Sequence, residues 1–181
     1  MKIGIFDSGI GGLTVFKEIS KALPSFEIIY LGDTARLPYG IKSKRTIDRY
    51  SINNVKLLKS LDCEIIVIAC NTASSYSTNL LKSKFKIPIF DVISAGVKAA
   101  LKDNPKILGV IGTDSTINSM AYNKMILNNN SNIKVYTKAC SIFVPIIEQG
   151  LIKKKHYNKI IEENLKFFKN KNLIGLILGC T

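Results

Sequence analysis

Two stretches of the chain are aliphatic with no polar interruption, and each ends in a cysteine followed by a small polar residue. They are Ile65-Ile66-Val67-Ile68-Ala69-Cys70-Asn71-Thr72 and Leu173-Ile174-Gly175-Leu176-Ile177-Leu178-Gly179-Cys180-Thr181. A strand with one wet face alternates apolar and polar residues, whereas an unbroken apolar run fits a parallel strand covered on both faces. Ligands of such sheets bind beyond the carboxyl ends of the strands, so both thiols are expected at binding edges.

The rest of the chain keeps the same rhythm. Short apolar runs near 2–6, 27–31, 64–69, 87–90, 106–111, 133–137 and 173–178 alternate with longer amphipathic ones, which predicts an α/β fold with parallel sheets. Val15, Phe16, Ile19, Ala22 and Leu23 form one helical stripe that Pro24 stops. Over 43–61, Ile47, Tyr50, Asn54, Leu57, Leu58 and Leu61 share a face on which only Asn54 is polar, and over 153–170 Ile160, Ile161, Leu165 and Phe168 point to a core. The tract Asn128-Asn129-Asn130-Ser131-Asn132 reads as a turn. A weak duplication is visible: Ile3-Gly4-Ile5-Phe6-Asp7-Ser8-Gly9 resembles Leu108-Gly109-Val110-Ile111-Gly112-Thr113, and each half closes on its strand-Cys run. Two lobes in a pseudo-twofold relation follow, with the boundary near 92–104: residues 1–95 form the first and 96–181 the second. A ligand site is expected between them.

The formal net charge is +13, and a basic surface can concentrate nucleic acid or acidic ligands. The lysines are dispersed, as in Lys82, Lys84 and Lys86, with one tight cluster at Lys153-Lys154-Lys155. Neither an RNA-binding aromatic signature nor a recognition helix accompanies them, so a solvated surface is expected rather than a nucleic-acid partner. Steering of a dicarboxylate is compatible with this charge. No window has the apolar length of a membrane span, and Lys2-Ile3-Gly4-Ile5-Phe6 begins a strand where a leader would need its apolar segment. A cytoplasmic protein without a membrane partner is expected. Cys63, Cys70, Cys140 and Cys180 lack paired zinc-ligand spacing and are expected as free thiols.

Asp7-Ser8-Gly9-Ile10-Gly11-Gly12 follows the first strand and opens a helix, where glycines let a ligand approach backbone N–H groups. A dinucleotide fingerprint is the rival reading, with Asp33 as the ribose acid, but its third glycine falls at Thr14. The segment Gly32-Asp33-Thr34-Ala35-Arg36-Leu37-Pro38-Tyr39-Gly40 is long for a strand-to-helix connection and rich in polar groups, as ligand-shaping loops are. Cys70 precedes a helix starting at Thr72-Ala73-Ser74-Ser75, a setting that favours thiolate; Cys180 has the same setting if a helix follows. Cys63 and Cys140 lack that context and read as structural, although Cys140 starts a loop that can reach the cleft. Inverting a stereocentre needs a base on one face of the carbon and an acid on the other, and one thiolate with one thiol satisfies this. Two-cysteine redox chemistry is the alternative, without a nearby C-x-x-C to support it.

These residues together resemble the glutamate racemases of the cofactor-independent Asp/Glu racemase superfamily. The matching pieces are Ile3 to Val15 (through Asp7-Ser8-Gly9), Gly32 to Gly40, Ala69-Cys70-Asn71-Thr72-Ala73-Ser74, Phe143-Val144-Pro145-Ile146-Ile147-Glu148 and Leu178-Gly179-Cys180-Thr181, in the family's order. The first two separate glutamate from aspartate racemases. The resemblance implies two flavodoxin-like lobes with the active site between them. It also implies interconversion of L- and D-glutamate for peptidoglycan, with no cofactor: neither pyridoxal phosphate nor a metal. Carried over by motif, Cys70 and Cys180 are the acid/base pair and Asp7 and Glu148 are carboxylates that assist them. Asp7, Ser8, Pro38, Tyr39, Gly40, Asn71, Thr72, Thr113, Thr116 and Thr181 are the implied substrate-binding residues.

The family continues past the second Cys-Thr with His, an aromatic-Pro pair and a segment returning to the first lobe. On this reading the sequence is C-terminally truncated, its first lobe is incomplete at the C-terminal part, and its activity is expected to be reduced. The only histidine, His156, is expected at the surface and not in the missing role. Ser94 and Ser141 stand where the family commonly has proline. Racemisation of aspartate or a related amino acid is the second enzymatic expectation, and a non-catalytic module binding an acidic ligand is the third. The sequence leaves a homodimer open.

Overall fold

A computed structural model describes residues 1–153 and 155–181, so the lysine cluster at 153–155 lies partly outside the described residues. In chain order the first sheet and its helices are β1 (Lys2–Asp7), α1 (Leu13–Ala22), β2 (Glu27–Gly32), α2 (Lys44–Ser60), β3 (Ile65–Ile68), α3 (Asn71–Lys84) and β4 (Ile89–Asp91). Then follow α4 (Val92–Ala100), β5 (Ile107–Gly112), α5 (Asp114–Asn118), α6 (Ala121–Asn129), β6 (Lys134–Ala139), α7 (Phe143–Glu148), α8 (Lys155–Leu165) and β7 (Gly175–Gly179). Each strand expected from the apolar runs is present.

All strand pairs are parallel, in the orders β2-β1-β3-β4 and β6-β5-β7. Asp7 lies beside Gly32, and Phe6 beside Ile68. Gly112 lies beside both Ala139 and Gly179. The central strand of each sheet is the first in its lobe, which is how a doubly wound flavodoxin-like order begins.

The first sheet is covered on both faces. Ile3, Ile5 and Ala69 meet Val15, Phe16 and Ile19 of α1, while Phe6, Ile66 and Ile68 meet Ile47, Val55 and Leu58 of α2 and Ala73 and Leu81 of α3. Each fully buried aliphatic side chain there contributes about 1.5–3 kcal/mol. Helix α1 ends where Leu23 N–H bonds Ile19 O at 2.9 Å, and Pro24 has no N–H to continue the ladder. Ser43 caps α2 by accepting from Thr46 N–H at 3.3 Å. In the second sheet, Leu108 and Val110 pack with Ile93 and Val97 of α4 and Tyr122 and Ile126 of α6; Ile111 packs on the other face with Phe168 and Cys140.

Two local expectations change. The run at 173–178 predicts a strand covered on both faces, but β7 is an edge strand whose Leu176 and Leu178 are 39% and 67% exposed. Its composition meets the demand for burial, while the described residues supply cover on one side only. Asn128 and Asn129 do not turn: they finish α6, with Asn129 Nδ2 donating to Met125 O at 2.8 Å, and the turn lies at 131–132. The boundary expected at 95/96 falls inside α4, which joins the two sheets. Among the described residues no helix is long and apolar enough to cross a membrane.

Candidate active site

In the first sheet the connections from β1 and β3 leave in opposite directions, which opens a crevice beyond their carboxyl ends. Asp7 and Cys70 stand at that point. In the second sheet β5 connects onward to β6 while β7 lies along its other side, and Thr113 and Cys180 directly follow β5 and β7.

The turn after β1 is organised by Asp7. Its buried carboxylate accepts N–H groups from Gly9 at 3.2 Å and Gly12 at 3.0 Å. A Cβ at Gly12 would come within 2.6 Å of Asp7 Cβ, so the closeness of this turn requires glycine. Tyr30 donates to Gly9 O at 2.7 Å and braces the turn from β2.

Cys70 is the N-cap of α3. Its sulfur accepts from Ala73 N–H at 3.4 Å and donates to Ser8 Oγ at 3.5 Å. Burial and the nearby Asp7 charge push its thiol up to about 12, against the opposing bonds from Ala73 and Ser8. At Cys70 the helix terminus is therefore outweighed by burial beside Asp7. Cys180 is reached by solvent, yet partial desolvation followed by the charges of Asp7 and Glu148 push it up to about 11. Asp7 thus acts on both sulfurs, and Glu148 on the second.

The two Cys-bearing strand ends touch through their neighbours. Thr181 Oγ1 donates to Ala69 O at 3.2 Å, and Thr181's carbonyl carbon lies 2.5 Å from the place a Cβ would take at Gly11. Glu148, the last residue of α7, puts Oε1 3.6 Å from the corresponding place at Gly9.

The seam between the lobes is built of hydroxyls. Thr72 Oγ1 lies 3.0 Å from Thr113 Oγ1 and 3.2 Å from Thr116 Oγ1, and those two are 3.0 Å apart. Ser115 donates to Gly40 O at 2.7 Å, and a Cβ at Gly40 would meet Thr113 Cβ at 2.7 Å. Tyr122 of α6 donates to Asn71 Oδ1 at 2.7 Å.

The structure brings together Asp7, Ser8, Cys70, Glu148, Cys180 and Thr181 on one side, and Gly40, Thr72, Thr113 and Thr116 along the seam. Asn71 adjoins both groups; Pro38 is exposed beside the buried Tyr39. The Tyr39 hydroxyl is consumed inside the first lobe: it donates to Asp33 and accepts from Asn54 Nδ2 at 3.1 Å. Arg36 completes this network through Asp33 at 2.7 Å and Asn54 at 3.2 Å. What this loop offers the cleft is its backbone.

Arg36, Asn54, Ser115 and Tyr122 had no individual site role in the sequence reading, and Asp33 entered it only as the ribose acid of the rival reading. Asn54 carried a usable signal, being the polar interruption of an otherwise apolar stripe; Tyr122 carried none. Cys63 and Cys140 lie in apolar clusters and His156 is exposed, while Ser94 and Ser141 use their hydroxyls on Asp91 at 2.7 Å and on Asp114. Among the described residues no group of three or more His, Cys, Asp or Glu is arranged to hold a metal ion.

Two cysteines and two carboxylates thus gather at the carboxyl ends of parallel strands. A family model described as Asp/Glu/Hydantoin racemase matches residues 3–181, and the chain belongs to that family of isomerases. Within it the similarity is to glutamate racemases. That of Aquifex aeolicus (strain VF5) is 51% identical, over 100% of this chain and 70% of its own length. The solved glutamate racemase of Francisella tularensis subsp. tularensis SCHU S4, in complex with D-glutamate, superposes with a TM-score of 0.93 at 44% identity, over 99% of this chain and 68% of that one. The structure from Aquifex pyrophilus gives 0.87 at 50% identity, over 100% and 71%.

Proposed function

We propose that this chain interconverts L- and D-glutamate by moving protons at Cα between Cys70 and Cys180, in a cleft between lobes 1–95 and 96–181. The observation that carries this reading is the placement of both thiols at strand ends joined by the Thr181–Ala69 contact, within the field of one carboxylate, Asp7.

Burial and the nearby carboxylates favour the protonated form of both sulfurs, whereas the reaction needs one thiolate beside one thiol. Entry of a substrate ammonium favours ionisation of a neighbouring thiol, whose proton is released to water, with Asp7 beside Cys70 and Glu148 beside Cys180 tuning the two sulfurs. The thiolate then abstracts the Cα hydrogen from one face and the opposite thiol donates its own to the other, so the proton count is unchanged and the configuration is inverted. The carbanion develops next to the α-carboxylate, so donors aimed at that carboxylate stabilise the transition state. Ser8, Asn71, Thr72, Thr181 and the backbone at Pro38, Tyr39 and Gly40 supply the polar surface for it, with Thr113 and Thr116 across the seam. The reaction assigned here takes place in the cytoplasm and supplies D-glutamate for peptidoglycan, by a single chain or a homodimer that sedimentation distinguishes.

The test is exchange of Cα hydrogen for deuterium together with racemisation, for glutamate and aspartate in parallel. Glutamate is expected to react, and Cys70→Ser and Cys180→Ser each to lower racemisation about 10²- to 10⁴-fold. Undiminished racemisation by either variant rejects the pair. Binding of glutamate with no exchange by the unmodified chain makes it a binding module instead.

A further inference from the structure

We infer that Tyr122 is a positioning residue which, through its bond to Asn71 Oδ1, turns the Asn71 amide so that Nδ2 is presented to the cleft as a donor for a substrate carboxylate. The inference rests on the proposed contact between Asn71 and the substrate, and adds the residue that decides which end of that amide the substrate meets.

A side-chain amide has an acceptor end and a donor end of nearly the same shape. Beside an anion the two are opposite in effect: N–H groups attract a carboxylate, and an amide oxygen repels it. Asn71 is the first residue of α3, directly after Cys70, and is 5% exposed. Tyr122 belongs to α6 in the other lobe, is 3% exposed, and donates to Asn71 Oδ1 at 2.7 Å. With the amide reversed, Nδ2 would face the phenol oxygen and the buried O–H would lose its acceptor, a costly arrangement. Among the described residues the buried side-chain polar atom lacking a partner is Ser51 Oγ, so Asn71 Nδ2, for which no protein acceptor is found there, is not sealed from solvent.

The tyrosine is itself fixed. Its Cε2 is 3.0 Å from the place of a Cβ at Gly179, the residue before Cys180, and its hydroxyl is 3.7 Å from that place at Gly96 of α4. One ring therefore braces the backbone before one sulfur and orients the side chain after the other. Burial, then Asp91 and Cys180, raise its pKa, so the phenol keeps the proton it donates.

Tyr122→Phe removes the hydroxyl and keeps the ring. It is expected to raise KM for both glutamate enantiomers about tenfold, with kcat within about threefold, because a correctly aimed donor to a charged group is lost. In an Asn71→Ala background the same change is expected to have no further effect on KM. A full additional rise there, or a fall in kcat at unchanged KM, overturns the inference. Asn71→Asp keeps an acceptor for Tyr122 but puts an anion where the donor was; it is expected to abolish saturation by glutamate, and an unchanged KM also overturns it. The side-chain amide resonances of Asn71, assigned by their loss in Asn71→Ala, are expected to move in Tyr122→Phe, and an unmoved pair refutes the contact. This last readout holds even if the unmodified chain fails to turn over glutamate, an outcome that would reject the proposed function on its own.

Discussion

Cys70 and Cys180 differ in their surroundings more than in their chemistry. One is enclosed under the first turn of α3 and the other reached by water, yet both are raised above the ordinary thiol value of 9.0. A folded-state value above the unfolded one means that the folded chain holds protons the unfolded chain has released. The stability this supports is intact below about 9 and is lost as pH rises through about 11 for Cys180 and about 12 for Cys70. Denaturant titrations are therefore expected to show a smaller alkaline loss for Cys70→Ser than for the unmodified chain, and thiolate absorbance to develop later than in a free thiol. An equal loss would mean that Cys70 does not retain its proton. The sequence placed both cysteines at strand ends by their apolar approach. It could not give their ionisation, because a helix N-terminus argues for thiolate and the dominant opposing influence, burial beside Asp7, depends on residues distant along the chain.

Strands and helices were legible wherever a local period ran long. Each of the seven apolar runs became a strand, and Pro24 ended α1 as its missing N–H requires. Less was visible where a side chain's partner lies on another segment. Asn54 interrupts the α2 stripe, and the structure explains why: it bridges Arg36 and the Tyr39 hydroxyl and so ties the loop before α2 to that helix. Asn54→Leu leaves both partners short of a bond and is expected to cost about 1–3 kcal/mol in chemical denaturation. A neutral result would mean that water replaces the amide. The turn after β1 makes a sharper demand, since Gly11 and the backbone of Thr181 leave no room for a methyl group. Gly11→Ala is expected to displace Thr181 and with it Cys180, lowering kcat while the melting temperature shifts by a few degrees at most. Unchanged turnover would separate Thr181 from the chemistry.

Taken as one body, the protein is two parallel sheets whose carboxyl strand ends meet at a seam of threonines, serine and glycine. The sheets are unequal. The first is enclosed on both sides, whereas β7 leaves Leu176 and Leu178 in water, and an unpaired apolar edge is a template for association. Leu178→Lys is expected to reduce light scattering of the 181-residue chain at high concentration with stability changed by no more than about 0.5 kcal/mol. Persistent scattering would place the association elsewhere. Cover of that strand was misjudged from sequence because an apolar run records what a strand requires and says nothing about where its covering residues are. The hydroxyl of Thr181 rests on a carbonyl 112 residues earlier. During synthesis the first four strands can therefore pair long before Thr181 exists to join the second sheet to them, so the cleft closes onto a sheet that has already formed.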